Sequence, residues 1–146
     1  MSAPLPNNEA TSLSAAERDL LLEKAKAAVH NAYAPYSKFM VGAALLTEAG
    51  NVYTGCNVEN SSYGLTNCAE RTAIFSAVTA EGSGMHIRAI AVWSNPEGPC
   101  SPCGACRQVI FEFGPKAIVL FQGLDGIEEV VASELLTHGF LFEATC

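Results

Sequence analysis

The sequence predicts a layered α/β domain in which helices pack on a central sheet. Three observations predict it: a capped helical repeat opens the chain, apolar runs of strand length recur along it, and helical segments alternate with those runs. The repeat is "SAAERDLLLEKAKAAVHN", Ser14 to about Asn31. Ser14 and Glu17 stand in capping-box relation, and Leu20, Leu21, Lys24, Ala27 and Ala28 keep a helical period. "YAPYSKF" breaks the pattern at Pro35, and "FMVGAALLTEAGNVYTGCNVEN" then predicts two strands around the turn "EAGN", where Gly50 supplies a permissive backbone. Residues 68 to 81 are helical by composition, "IRAIAVWSN" is an apolar strand, and "CGACRQVIFEF" is a helix ended at Gly114. "KAIVLFQG" is a further strand and "ASELL" a short terminal helix. A helix that links two buried strands predicts a parallel, right-handed crossover between them.

Composition narrows the function classes. With 146 residues, 49% of them hydrophobic, the chain suits one compact domain, which we place at residues 13 to 146 behind a flexible tail over residues 1 to 12. The opening "MSAPLPNNEATS" has no basic region followed by an apolar one, and no apolar run approaches the roughly 18 residues of a membrane span. These features predict a cytoplasmic protein without a membrane partner. A formal charge of -7 and a pI near 4.8 disfavour nucleic acid, since phosphate binding draws largely on Lys and Arg. Six cysteines in 146 residues fall well short of the roughly 8–10% of a disulfide scaffold. Metal or catalytic use is the better expectation.

Two stretches carry that chemistry. In "SPCGACR", Cys103 and Cys106 lie three apart at a helix start, on one side of the turn, as two ligands of a tetrahedral ion must be. The same spacing marks redox pairs, which would leave Cys68 and Glu70 unexplained, and structural zinc, which normally closes with four protein ligands. In "NCAERTAIF", Cys68 supplies a third thiolate and leaves one coordination position open, as in catalytic zinc sites. Glu70 is two residues on, about 200° around the helix, so it is no natural co-ligand of Cys68 but can reach across the mouth of the site as a proton carrier. Three thiolates on a divalent ion leave a net charge near -1, which weakens the acidification of bound water. Helix N-termini and Arg71, three residues after Cys68, are available to offset it; the alternative role for Arg71 is a surface ion pair.

With "CAE" at 68–70 and "PCGAC" at 102–106 the chain resembles the zinc-dependent deaminases, whose pattern is a His or Cys ligand, then Glu, then PCxxC. "YAPYSKFMVGAALL", "GCNVEN", "CAERTAI" and "SPCGACRQV" narrow the likeness to the small three-cysteine cytidine deaminases, over about residues 20 to 137. The resemblance implies a three-layer α/β/α sandwich with a mixed five-stranded sheet, and one zinc per chain held by Cys68, Cys103 and Cys106. It implies hydrolytic deamination of cytidine and 2'-deoxycytidine to the uridines and ammonia, with attack at C4 by zinc-bound hydroxide and Glu70 as proton shuttle, in pyrimidine salvage. It places Asn57 and Glu59 on the ribose, Phe39 on the base, the backbone of Ala69 and Ser101 at the base edge, and Tyr36 and Tyr63 along the pocket. Arg71 would support a ligand sulfur. It also implies a homotetramer, with Tyr63 reaching a neighbouring site and Phe140 or Phe142 covering the ligand, although "LLTHGFLFEATC" departs from the family's spacing there.

Two other readings stand beside this one. The same zinc chemistry serves modified cytidines or a nucleoside antibiotic, and a noncatalytic zinc module would use the metal only to hold the fold. Of the remaining cysteines, Cys56 reads as a small core residue, Cys100 as a competing ligand or a bystander, and Cys146 as a free terminal thiol. His30, His86 and His138 have no motif around them.

Overall fold

The structure, a computed structural model, describes residues 12–142. The expected tail at residues 1–12, save its last residue, and Cys146 lie outside that range. Helix α1 (Ala15–Ala28) begins as its sequence dictates: the Glu17 N–H donates to Ser14 Oγ at 3.1 Å and the Ser14 N–H donates to Glu17 Oε1 at 3.0 Å. Its buried stripe differs from the expected one by a residue. Leu21, Leu22, Ala25 and Ala28 face the sheet, while Leu20 is 42% exposed and Lys24 and Ala27 point outward. Three consecutive leucines make two stripes equally periodic, and the small residues at 25 and 28 decide which of them can approach the sheet. A 3₁₀ turn, Val29–Asn31, completes the element.

Strands β1 (Met40–Thr47) and β2 (Val52–Cys56) form the expected antiparallel hairpin. Helix α2 (Ala69–Glu81), strand β3 (Ile87–Asn95), helix α3 (Gly104–Phe113) and strand β4 (Ile118–Gln122) follow in the expected order. β3 and β4 pair in parallel across the α3 crossover. The sequence reading located four strands; the fifth is β5 (Ile127–Val131), antiparallel to β4 and continuous with the short helix α4 (Ala132–Leu135). "IEEVV" carries two exposed glutamates in five residues, so its apolar signal is that of an edge strand rather than a buried one. Sheet order is β2-β1-β3-β4-β5, a mixed five-stranded sheet.

Alternation along the strands divides the interior in two. Ala44, Leu46, Ala89, Ala91 and Leu120 face α1, whereas Val41, Ala43, Leu45, Ile90, Val92, Val119 and Phe121 face Ala73, Ile74 and Ala77 of α2 and Ile110 of α3. Helices therefore cover both faces, in three layers. Each fully buried Ile, Leu or Val contributes roughly 1.5–3 kcal/mol of hydrophobic stabilisation. Two glycines allow the layers to touch at backbone level. A Cβ at Gly42 would run into Ala25 O and Val29 N (2.6 Å) of the α1 segment, and one at Gly55 would strike Ala73 N and Ala69 O (2.6 Å) of α2. Gly55 thus seats the first turn of α2 on the sheet. Among the described residues no helix is long and apolar enough to cross a membrane.

Candidate active site

The first turns of α2 and α3 meet on one face of the sheet. Cys68 is the N-cap of α2 and Cys103 the N-cap of α3, both extended, with φ/ψ of -75°/156° and -66°/168°. Neither side chain caps its helix. Serine, threonine, aspartate or asparagine would stabilise these ends better, so cysteine at both is a choice for sulfur rather than for capping. Cys106, in the first turn of α3, is fully buried; Cys68 is half-buried and Cys103 exposed. The three Sγ atoms lie within 4.8 Å of one another, and among the described residues this is the one such group of His, Cys, Asp or Glu.

The donor set fits zinc. Sulfurs on a tetrahedral zinc, each about 2.3 Å from the metal, stand about 3.8 Å apart. Cys68 Sγ and Cys103 Sγ are 3.9 Å apart. The charge balance also favours a cation here. Hydrogen bonds from Cys106 and Arg71 bring the Cys68 thiol down to about 5, against the opposing effect of burial. Cys106, sharing that hydrogen bond and buried, is pushed upward in turn. Arg71 Nη2 donates to Cys68 Sγ at 3.2 Å, which sets this guanidinium against a ligand sulfur instead of in a surface ion pair. Its own proton is held more tightly because of that bond. Its Nε is buried without a hydrogen-bond partner.

Glu70 lies beside the thiolates and is 4% exposed. Its Oε2 accepts a hydrogen bond from Cys106 Sγ at 3.2 Å. Burial raises its carboxyl above the ordinary range, and the charge on Cys68 pushes the same way; its own backbone N–H, the Cys106 bond and Arg71 oppose. A carboxyl so placed exchanges protons more readily near neutral pH than an exposed glutamate does.

The other predicted residues form a hydrogen-bonded rim. Asn57 is buried, with Oδ1 accepting the Val41 N–H and Nδ2 donating to Phe39 O, both at 2.8 Å. Glu59 Oε1 accepts the N–H groups of Tyr36 and Ser37 at 2.9 and 3.1 Å. The Ser37 hydroxyl, with those two amides, holds the Glu59 carboxyl below its usual range. Val58 and Asn67 exchange N–H···O bonds of 3.0 Å, which joins this segment to the residue before Cys68. Phe39 starts the run into β1 and is 40% exposed. Tyr36 hydroxyl and Ser61 Oγ are 2.8 Å apart, and the Tyr36 ring meets Tyr63 edge-on at 5.9 Å. Tyr63 is 77% exposed. Ala69 is buried under the α2 start and Ser101 is exposed before α3. Phe140 and Phe142 are strongly exposed.

Cys100 stays outside the sulfur group. It is buried, its N–H donates to Gln122 O at 2.9 Å, and burial pushes its thiol up to about 11. Cys56, expected in the core, is only partly buried, because β2 lies at the sheet edge. Two contributors escaped the sequence reading. Arg107 donates from Nε to Pro102 O at 2.7 Å and from Nη1 to Leu135 O at 3.1 Å, pinning the loop that carries Cys103. Ser37 joins Glu59 and the Phe39 amide. Arg107 was detectable as the residue after the last cysteine of "SPCGACR"; Ser37 had no signal of its own.

Comparison with known proteins agrees with this geometry. Residues 16–122 match the model of the cytidine and deoxycytidylate deaminase zinc-binding region. The chain is 52% identical over 123 residues to a cytidine deaminase of Sporosarcina psychrophila, covering 82% of this chain and 88% of that one. It is 50% identical over 129 residues to the cytidine deaminase of Halalkalibacterium halodurans, covering 87% and 96%. Among solved structures, the cytidine deaminase of Burkholderia pseudomallei superposes with a TM-score of 0.75 at 53% identity, covering 84% of this chain and 98% of that one. The Mycobacterium tuberculosis enzyme gives 0.74 at 37%, covering 85% and 97%. Three sulfurs at two helix starts, a buried glutamate beside them and these likenesses together place the chain in the zinc-binding cytidine and deoxycytidylate deaminase family.

Proposed function

We infer that this protein is a cytidine deaminase, converting cytidine or 2'-deoxycytidine and water into uridine or 2'-deoxyuridine and ammonia. The observation that carries the inference is the Cys68, Cys103 and Cys106 sulfur group with the buried Glu70 carboxyl against it. Zinc held by the three thiolates supplies the Lewis acidity that makes water a nucleophile near neutral pH. Glu70 moves the protons: its carboxylate takes one from the attacking water and gives it to N3 of the base, then takes the second from the hydroxyl now on C4 and delivers it to the departing N4 amine. The C4–O bond forms first, and the C4–N4 bond breaks afterwards as the C4=O double bond closes. The raised proton affinity of the buried carboxyl matches both directions of that transfer. Arg71, donating to Cys68 Sγ, spreads the negative charge of the thiolates, and the two helix N-termini do the same.

Asn57 and Glu59 take the sugar: one Nδ2 hydrogen of Asn57 remains beyond the contacts described above, and a carboxylate has more acceptor sites than the two amides on Glu59 Oε1 fill. Phe39 packs on the base, the Ala69 and Ser101 backbones read its edge, and Tyr36 and Tyr63 line the approach. Residues 13–146 act as one unit in a homotetramer. Exposed Val58, Tyr63, Leu65 and Phe75, with a groove of about 470 Å³ lined by Asn67, Thr72, Phe75, Ser76, Thr79 and Ala80, support that assembly. Phe140 or Phe142 would then close over a neighbour's site. The setting is cytoplasmic pyrimidine salvage.

The test is the absorbance change on mixing purified protein with cytidine, repeated with Glu70→Ala at equal zinc content. Turnover by wild type and none by the variant supports the inference. Wild type that holds one zinc per chain yet leaves both nucleosides intact overturns it.

A further inference from the structure

The loop between Pro35 and Phe39 is anchored more heavily than its exposure requires. Ser37 Oγ accepts the Phe39 N–H at 3.1 Å, and the Ser37 N–H donates to Glu59 Oε1 at 3.1 Å. One residue thus holds both groups, and its hydroxyl, with a hydrogen to spare after accepting from Phe39, also helps keep the Glu59 carboxyl below its usual range. On the other side Asn57 Nδ2 holds Phe39 O at 2.8 Å. Both polar backbone groups of Phe39 are therefore fixed by side chains. The residue between Ser37 and Phe39, Lys38, has φ of 61°, a conformation that a non-glycine residue keeps only when its surroundings impose it. The anchored ring is 40% exposed, so core packing does not explain the expenditure of so many contacts.

We propose that Ser37 is a positioning residue that couples Glu59, on the sugar side, to the backbone of Phe39, on the base side. The proposal rests on the activity inferred above. In this arrangement the carboxylate that binds the ribose and the ring that packs on the base are both held by Ser37, so a displaced Glu59 or a displaced Phe39 disturbs the other.

Ser37→Ala and Ser37→Thr can be assayed on cytidine and on 2',3'-dideoxycytidine, which lacks both ring hydroxyls and so makes no sugar contact with Glu59. Ser37→Ala is expected to lower kcat/KM by roughly tenfold on both substrates, as loss of a hydrogen bond to a charged group does, with Ser37→Thr recovering most of it. Deuterium exchange at the Phe39 amide should quicken in Ser37→Ala alone. A loss confined to cytidine would show that Ser37 serves only the sugar contact and would overturn the coupling. Unchanged exchange at Phe39 would overturn it as well, whatever the kinetics. Wild type that yields no uridine from cytidine refutes the activity itself, a result distinct from either.

Discussion

At the scale of single residues, the cysteine grouping was visible in spacing. Cys103 and Cys106 read as a ligand pair because three residues of helix bring side chains to one side, and Glu70 read as a carrier because two residues do not. Substituting Glu70→Gln keeps shape and hydrogen bonding but removes the exchangeable proton; kcat should fall by about 10²–10⁴-fold with zinc content unchanged, as measured by turnover and metal analysis. Arg71→Ala removes the donor 3.2 Å from Cys68 Sγ and should weaken zinc retention by roughly 10–100-fold in competition with a chelator. What spacing could not show is how a side chain divides its hydrogen bonds. Asn57 read as a sugar ligand, yet its oxygen and one of its N–H groups serve Val41 and Phe39. Those partners are 16 and 18 residues away in sequence, and nothing local announces them.

At the scale of elements, the strands that fill the middle of the sheet were legible and the one at its far edge was not. β1, β3 and β4 are apolar on both faces because helices cover both, so their runs are continuous; β5 has glutamates facing water and no such run. The α1 register failed for a related reason: sequence gives a period, and only the opposing surface selects the phase. The hairpin and helix junctions carry their own prediction. Gly55→Ala forces a methyl into the backbone of α2 and should cost about 1–3 kcal/mol in urea unfolding, with activity lost at temperatures where the protein is still folded because Cys68 and Glu70 ride on that helix. Ser14→Ala deletes half of a capping box far from the site and should cost about 1 kcal/mol while leaving kcat unchanged.

At the scale of the whole molecule, acid should unfold the protein through carboxylates distant from the metal. Bonds from the Ser14 backbone and Arg88 hold Glu17 below the ordinary glutamate value of 4.5, and Asn51 with Thr47 does the same for Glu81. A lowered folded value means the native state binds protons less readily than the unfolded chain. The stabilisation is complete above 4.5 and disappears as the pH falls through the folded values. The urea midpoint should therefore drop in acid, and Glu17→Gln should drop less.

The edge strand β5 also limits how copies of the protein could meet. Glu128 stands opposite Phe121 and Glu129 opposite Leu120, so β5 shows one negative charge to each side of the sheet, with Glu129 reaching Arg18 at 3.4 Å. Two sheets approaching through this margin would set carboxylates against carboxylates, and ribbon growth from chain to chain is discouraged. Crowded molecules are thereby steered away from fibrous association through this edge.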